Sequence, residues 1–307
     1  MQSKPKILIG PSSFAEKNRS PWIAIENAGY EVLDNPHKRK LTKDELHTLL
    51  TPDVAGILAG LEPLDREVLA RSSLRVVSRV GAGMSNVDIV AAKELGIAVR
   101  STPNGPTESV AELTLGMLLS LLRLAPQMDG PLHRGEWVKK TGLELAGKTV
   151  ALIGFGRIGR RVAELLAPFR VSLLIVDPYA SGSFPEGSRQ TTLEKALPFA
   201  DIVSLHASGE SCMLGPDQFA LLKNGAFVLN VARGGLIDEN ELVNGLSSGK
   251  VAGAWIDTFA KEPYSGPLCG FSNVILTPHV GSYTAECRLA METEAVENLL
   301  GVLRQAK

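Results

Sequence analysis

The chain is poor in cysteine and has no cysteine pair. Its three cysteines are Cys212, Cys269 and Cys287, and they fall in none of the spacings that metal sites or dithiol redox centres use. Scattered free thiols are typical of a reducing compartment. The sequence argues against a disulfide-stapled scaffold, and we predict neither a metal site nor a redox role for these cysteines.

The chain also lacks an excess of charge of one sign. It has 32 Lys and Arg against 33 Asp and Glu, a formal net charge of −1, and the two signs are interspersed. Proteins that bind nucleic acid or anionic membrane surfaces usually carry a basic patch. We therefore predict no nucleic-acid partner and no membrane partner, and we expect a small neutral or anionic ligand.

No long apolar run is present. The most apolar stretch, LTLGMLLSLLRLAP from Leu113, is interrupted by Gly116, Ser120 and Arg123 and is too short to span a bilayer, so we predict a buried helix. The amino-terminal MQSKPKILIG lacks the apolar region of a signal peptide and is predicted to form the first strand. These features predict a cytoplasmic protein.

Short apolar runs typical of strands alternate with helical patterns in both halves of the chain. Because 307 residues exceed the size of about 250 residues at which single cores stop growing, two domains are expected. The first series contains KILIG, VAGILAG, LRVVSRVG and IAVRS, and the second contains KTVALIGFG, VSLLIVD, ADIVSLH, AFVLNVA, VAGAWID and NVILTPH. The alternation predicts an α/β fold with two doubly wound parallel-sheet domains. Between the series, the polar residues 128–145 are predicted to form an exposed arm or connection.

A glycine pattern follows the first strand of the second series. Gly154, Gly156 and Gly159 form G-x-G-x-x-G between a predicted strand and a predicted helix, and Asp177 ends the next strand. Such a loop places a pyrophosphate at the helix amino terminus, and the carboxylate accepts hydrogen bonds from ribose hydroxyls. We predict a dinucleotide site, with NAD favoured over NADP because Asp177 would repel a 2′-phosphate. A glycine-rich turn without a ligand is the alternative.

A second glycine loop, RVGAGMSNVD, follows a strand of the first series but lacks the third glycine. The backbone N–H groups of Gly81, Ala82 and Gly83 could form a nest for a carboxylate. An ordinary strand-to-helix turn explains the same spacing. The loop is thus a candidate substrate site but not a second dinucleotide site.

Three polar residues stand near predicted strand ends of the second series: Arg233, Glu262 and His279. Ligands of open parallel sheets lie beyond the carboxyl ends of the strands, so these side chains could converge. Arg233 could bind a substrate carboxylate, with Gly234 and Gly235 leaving room, while His279 exchanges a proton and Glu262 orients its imidazole. Each also has a structural alternative: an arginine clasping carbonyls, a surface glutamate and a strand-end histidine with satisfied hydrogen bonds.

The blocks ALIGFGRIG, NVARGGLIDE, DTFAKEP and TPHVGSYT resemble the signature blocks of the D-isomer specific 2-hydroxyacid dehydrogenase family. RVGAGMSNVD and STPNGPTESVAELTLGM are similar to those of its phosphoglycerate dehydrogenase-like members. The resemblance implies a Rossmann dinucleotide-binding domain at residues 101–284. It also implies a flavodoxin-like substrate domain made of residues 1–100 and 285–307, and a homodimer whose interface includes the arm around Trp137.

The resemblance also implies roles for individual residues. Arg233, Glu262 and His279 would be the catalytic set, with Arg233 and Gly81 to Gly83 binding the substrate. Besides the glycine loop and Asp177, nucleotide contacts are implied for Arg157, Ile158, His206, Ala207, Ser208, Ala232 and Asp257. Of these, Asp257 would hold the nicotinamide carboxamide.

Several positions depart from the family pattern. Ala59 and Gly60 stand where many members have an arginine–serine pair, Pro106 stands where many have an asparagine, and HAS at 206–208 replaces His-x-Pro. We expect NAD-dependent interconversion of a D-2-hydroxy acid and its 2-keto acid. The leading substrate is 3-phosphoglycerate, as in serine biosynthesis. A hydroxypyruvate or glyoxylate reductase is one alternative, and an NAD-sensing binding protein of the corepressor type is another.

Overall fold

The protein divides into two compact units, each built on one sheet. In the computed structural model, which describes residues 4–209 and 211–305, the first unit runs to Pro106 and resumes at Ser282, and the second is Thr107–Gly281. Every pair of adjacent strands in the two sheets is parallel. The predicted α/β fold with two parallel-sheet domains is confirmed.

The first unit contains a five-stranded sheet. Its strands are β1 (Lys6–Ile9), β2 (Glu31–Leu33), β3 (Val54–Ala59), β4 (Val76–Arg79) and β5 (Ala98–Ser101). They lie in the flavodoxin-like order β2-β1-β3-β4-β5. The helices between them are α1 (Ser20–Asn27), α2 (Lys43–Leu49), α3 (Arg66–Ala70) and α4 (Ile89–Glu94).

Both faces of this sheet are covered by apolar cores. Ile7 and Ile9 of β1 pack in one core with Ile25 of α1, whereas Leu8 packs in the other core with Leu46 of α2. Successive side chains of a strand point to opposite faces, so a strand that is buried on both sides must be apolar throughout. The continuous run KILI follows from this burial.

The second unit contains a seven-stranded sheet. Its helices are α5 (Thr107–Leu122), α6 (Ala125–His133), α7 (Arg157–Leu166), α8 (Leu193–Ala196), α9 (Pro216–Leu221) and α10 (Glu239–Ser248). Its strands are β6 (Thr149–Ile153), β7 (Ser172–Val176), β8 (Ser188–Gln190), β9 (Ile202–Leu205), β10 (Ala226–Asn230), β11 (Val251–Ile256) and β12 (Val274–Leu276). They lie in the order β12-β11-β10-β9-β6-β7-β8.

The strand order of the second unit reverses at β6. The chain runs from β6 outward to β7 and β8, then returns to β9 on the other side of β6 and continues outward to β12. In open parallel sheets, ligands bind at such a switch point, beyond the carboxyl ends of the two strands that flank it. The loops that follow β6 and β9 therefore border the expected crevice.

The apolar run from Leu113 lies in α5, and its predicted burial is confirmed because Thr114, Leu118, Leu121 and Leu122 are all buried. Among the described residues, no single helix is long and apolar enough to cross a membrane. Only the bent pair of α5 and α6, which meet at 72°, has the required length and composition.

The predicted arm is helical at its start. The helix α6 has no buried residue, and beyond it the side chain of Trp137 is 78% exposed.

After the second unit, the chain returns to the first unit through the helix α11 (Ala285–Gln305), which packs against β3, β4 and β5. The Ser78 hydroxyl of β4 donates to the Ala295 carbonyl of α11 at 2.8 Å.

Candidate active site

The glycine loop between β6 and α7 has a shape that only glycine permits. Gly154 has a φ of +92°, and a Cβ there would lie 2.5 Å from the Ala207 backbone nitrogen. A Cβ on Gly159 would overlap the carbonyl oxygen of Gly154. A Cβ on Gly156 would instead meet open space, and this residue caps α7 without a side-chain hydrogen bond. The first-turn N–H groups of α7 are thus available to an anion such as a pyrophosphate.

Asp177 lies directly after β7 and is fixed beside this loop. One carboxylate oxygen accepts a hydrogen bond from the Phe155 N–H at 2.8 Å, and the other accepts from the Tyr179 N–H at 2.8 Å. Each carboxylate oxygen has a further lone pair that can accept a ribose hydroxyl. Of the other predicted loop contacts, Arg157 is exposed and Ile158 is half-buried.

The loop after β9 meets the glycine loop through its backbone. The Ala207 backbone packs against Gly154, and Ser208 is exposed. The His206 ring lies 2.8 Å from the Ser204 hydroxyl through Nε2, and no partner for its buried Nδ1 occurs in the described part of the chain. Burial lowers the pKa of His206 to about 4, because desolvation disfavours the charged imidazole. The ring is therefore neutral at pH 7.

Arg233 lies in a short turn that Asn230 organises. The Asn230 side chain accepts from the Ala232 N–H at 3.1 Å and donates to the Arg233 carbonyl at 2.8 Å. The Arg233 guanidinium is half-buried and donates to the Ala232 carbonyl at 2.6 Å. Within residues 4–209 and 211–305, Arg233 forms no salt bridge, so its charge is available to an anionic ligand.

Gly234 is required because neighbouring backbone lies where its side chain would be, and not because it leaves room for a ligand. A Cβ on this residue would overlap the backbone of Phe259 and Ala260. The expectation that Gly234 leaves room for a ligand is therefore wrong, because the space is filled by the backbone of the loop that follows β11.

Glu262 and His279 form the predicted pair. The His279 Nδ1 atom lies 3.2 and 3.1 Å from the two carboxylate oxygens of Glu262. Glu262 also accepts from the Phe259 N–H at 3.1 Å, and the two side chains are 31% and 40% exposed. An Nδ1–H that donates to Glu262 leaves Nε2 as the atom for proton exchange, and Nε2 has no partner among the described residues.

Asp257 holds the loop that carries His279. This carboxylate is buried, and it accepts hydrogen bonds from the Thr277 hydroxyl at 2.5 Å, the Val280 N–H at 2.9 Å and the Gly281 N–H at 3.0 Å. Its carbonyl accepts from the His279 N–H at 2.8 Å. The role expected for Asp257, holding a carboxamide, stays a prediction beside this observed one.

Trp255 and Thr277 complete the hydrogen-bond network around Asp257, and the sequence analysis did not predict this role for them. The fully buried Trp255 indole donates to the Thr277 hydroxyl at 2.9 Å, and that hydroxyl donates to Asp257. The only sequence signal is position, since Trp255 stands two residues before Asp257 and Thr277 two residues before His279. Their effect is to fix His279, whose φ is +55°, in a left-handed backbone conformation that non-glycine residues rarely adopt.

In the first unit, the loop after β4 differs from the expected nest. Gly81 has a φ of +136°, and its N–H donates to the Thr102 hydroxyl at 2.8 Å. This N–H is therefore not available to a carboxylate. The exposed Ala82 and half-buried Gly83 keep the predicted role as candidates.

Comparison with known proteins identifies the family. The model described as "D-isomer specific 2-hydroxyacid dehydrogenase, NAD binding domain" matches residues 115–281, more than half of the chain and nearly all of the second unit. The chain belongs to this family. Its members are NAD(P)-dependent oxidoreductases of 2-hydroxy acids.

The curated relatives include two enzymes named D-3-phosphoglycerate dehydrogenase. The one from Methanocaldococcus jannaschii is 38% identical over 275 residues, which are 86% of this chain and 52% of the relative. The human one is 38% identical over 275 residues, which are 86% of this chain and 51% of the relative. The chain thus spans about half the length of these relatives.

The solved structures that this chain resembles include two reductases. A glyoxylate reductase from Paecilomyes thermophila has a TM-score of 0.86 at 28% identity, covering 100% of this chain and 97% of that one. An NADPH-dependent glyoxylate/hydroxypyruvate reductase from Sinorhizobium meliloti has a TM-score of 0.84 at 31% identity, covering 96% of this chain and 94% of that one.

The Trp255–Thr277–Asp257 network generates a stability prediction. Thr277→Val removes the hydroxyl and leaves the buried Trp255 indole N–H without an acceptor, so we expect the free energy of unfolding to fall by about 1–3 kcal/mol. Urea unfolding measures this change. Thr277→Ser is the matched control, because it keeps the hydroxyl and should retain more of the stability. A loss of stability in Thr277→Ser without one in Thr277→Val would show that the Thr277 methyl group, and not its hydrogen bonds, matters.

Proposed function

We propose that this protein is an NAD-dependent dehydrogenase that interconverts a D-2-hydroxy acid and its 2-keto acid. The observation that carries the proposal is the His279–Glu262 pair, with 3.1 Å between Nδ1 and a carboxylate oxygen and with Nε2 left for a substrate proton. Arg233, which has no salt bridge among the described residues, stands in the same unit. An acid–base group and a cation for the carboxylate are what this reaction requires of the protein.

Each residue has a defined part in the oxidative direction. Arg233 binds the substrate carboxylate and polarises the C2 oxygen, and His279 Nε2 accepts the proton of the C2 hydroxyl. Glu262 stabilises the imidazolium that results. NAD, when bound, supplies the acceptor for the hydride that leaves C2. In the reductive direction the same Nε2 returns its proton to the alkoxide oxygen.

The glycine loop and Asp177 support NAD as the cofactor. The close backbone contacts at Gly154 and Gly159 fit a tight dinucleotide loop, and the N–H groups of α7 suit the pyrophosphate. A fixed carboxylate at the ribose position would face a 2′-phosphate with like charge. We therefore propose NAD in preference to NADP, although the Sinorhizobium meliloti relative is named NADPH-dependent.

A phosphorylated substrate and two unphosphorylated ones are supported by different comparisons. The curated relatives at 38% identity favour 3-phosphoglycerate, and the reductase structures favour hydroxypyruvate or glyoxylate. A purified protein assayed for NADH oxidation with phosphohydroxypyruvate, hydroxypyruvate, glyoxylate, pyruvate and 2-ketoglutarate in separate wells decides between them. NADH binding without turnover of any of these keto acids would contradict the dehydrogenase and favour the NAD-sensing binding protein. That alternative predicts partner capture that depends on NADH and persists in His279→Ala.

His279→Ala should lower turnover by at least 100-fold and leave NADH binding within about twofold, because positioned proton transfer contributes about 10²–10⁴-fold to rate. Steady-state kinetics and NADH fluorescence titration measure the two quantities. Glu262→Gln keeps the size of the side chain and should lower turnover less than His279→Ala. Parallel losses of turnover and NADH affinity in His279→Ala would argue against an acid–base role.

Asp177→Ala should raise the ratio of kcat/KM for NADPH to that for NADH, because it removes the carboxylate that repels a 2′-phosphate. We expect a change of at least tenfold, measured with one keto acid and both cofactors. Asp177→Asn is the matched variant, since it removes the charge and keeps one acceptor oxygen. An unchanged ratio in both variants would mean that Asp177 does not meet the ribose.

We also propose a homodimer that uses the arm around Trp137. Along this stretch of chain Leu132 is 55% exposed, Trp137 is 78% exposed and Leu143 is 46% exposed, and a second copy would cover these apolar side chains. Trp137→Glu should shift the protein from dimer to monomer in light scattering after size exclusion. Phe199→Glu is the control, because Phe199 is 67% exposed and lies in the same unit outside the arm. A dimer that persists in Trp137→Glu would place the interface elsewhere.

A further inference from the structure

The rings of Tyr264 and Phe259 form a stacked pair in the loop that follows β11. Their centroids lie 4.2 Å apart and their planes meet at 19°. Both side chains are half-buried and pack against an apolar core that includes Ala232 and Leu236, which lie on either side of Arg233 in the chain. Stacking of two aromatic rings is favourable beyond the apolar area that it buries. The stack therefore fixes Phe259 relative to Tyr264.

Tyr264 is itself held in place through its hydroxyl group. The hydroxyl oxygen accepts the Leu268 N–H at 3.2 Å, and a Cβ on Gly266 would overlap this oxygen. Burial is the larger cause that raises the pKa of Tyr264 to about 12, and the neighbouring Glu239 carboxylate adds to the rise. The hydroxyl is therefore protonated at pH 7, and it can donate to Glu239 at the start of α10.

The Phe259 backbone connects the stacked pair to the candidate active site. Its N–H donates to a carboxylate oxygen of Glu262 at 3.1 Å, and Glu262 lies 3.1 Å from the His279 Nδ1 atom. The Phe259 carbonyl group lies where a Cβ of Gly234 would be. A shift of Phe259 therefore alters the hydrogen bond that orients the Glu262 carboxylate toward the imidazole.

Glu262 needs such a restraint because its side chain is partly exposed to solvent. A glutamate has three rotatable side-chain bonds, and ordering them costs conformational entropy. A backbone N–H that is fixed in space reduces the number of orientations that the carboxylate adopts. The fraction of molecules in which Glu262 faces the His279 imidazole thus depends on how firmly Phe259 is held.

We propose that Tyr264 is a positioning residue, whose ring stacks on Phe259 and keeps the Phe259 N–H directed at Glu262. The Glu262 carboxylate then stays oriented toward the His279 imidazole. This inference rests on the proposed dehydrogenase function and adds to it a residue that acts through Glu262. Its effect falls on the proton transfer, because Glu262 stabilises the imidazolium.

The test compares Tyr264→Leu with Tyr264→Phe, which keeps the ring and removes only the hydroxyl. The single-turnover rate of NADH oxidation is measured with the keto acid of the panel above that the wild type reduces fastest. Misplacing a catalytic group costs up to about 100-fold in rate, and we expect a loss of about tenfold in Tyr264→Leu. Tyr264→Phe should stay within about threefold of the wild type, because the stack remains. NADH affinity, measured by fluorescence titration, should stay within about twofold in both variants.

A double-mutant cycle separates positioning from a general loss of structure. In a Glu262→Ala background no carboxylate remains to be oriented, so Tyr264→Leu should lower the rate by less than about twofold further. A merely structural role would give the same fold-loss in both backgrounds. Phe259→Leu removes the other ring of the stack and should repeat both results, which gives a second test if Tyr264→Leu does not bind NADH.

Three outcomes with an active wild type overturn this inference alone. They are a full rate in both Leu variants, equal losses in the wild-type and Glu262→Ala backgrounds, and loss of NADH binding in both Leu variants, which would mean that the stack supports the whole unit. A loss in Tyr264→Phe as large as that in Tyr264→Leu also overturns it, because the hydroxyl and not the ring would then matter. A wild type that binds NADH but reduces none of the keto acids overturns the proposed function, and this inference fails with it.

Discussion

The carboxylate of Asp257 is buried directly after β11 and accepts three hydrogen bonds from the segment that carries His279. A buried carboxylate is costly in free energy unless its lone pairs accept hydrogen bonds. Moving the segment away would leave the Asp257 charge buried without these hydrogen bonds, so the segment is held in place. The position of His279 follows from this constraint. Glu62 of the first unit is buried in the same way, but its partner is the Gly60 backbone of its own turn.

Parallel strands explain why so many of these residues stand near strand ends. Gly154 and Asp177 follow β6 and β7, and His206 follows β9. All strands of the sheet run in one direction, so the loops after them gather at one edge, and polar residues can be placed there without disturbing the apolar strands. The buried interior then carries the fold, while these loops carry the chemistry.

The sequence allowed the α/β class, the glycine loop and the Glu262–His279 pair to be predicted, because each leaves a local pattern of apolar runs, spaced glycines or polar strand ends. Two of the three three-residue strands, β2 and β8, were missed, because neither EVL nor SRQ forms an apolar run like the VIL of β12. The use of the Gly81 N–H by Thr102 was also missed, because it joins residues 21 positions apart. The sequence showed that Ala59 and Gly60 of AGLEP replace an arginine–serine pair of the family. It did not show that the Glu62 carboxyl group folds back to accept the Gly60 N–H.

The contact at Gly234 has a consequence for how the site can change. The backbone of Phe259 and Ala260 lies where a side chain of Gly234 would be, and the Phe259 N–H is bonded to Glu262. The turn that presents Arg233 and the loop that presents Glu262 are therefore mechanically joined, and a shift of one displaces the other. Lengthening either loop would therefore disturb the turn of Arg233 and the Glu262–His279 pair at once.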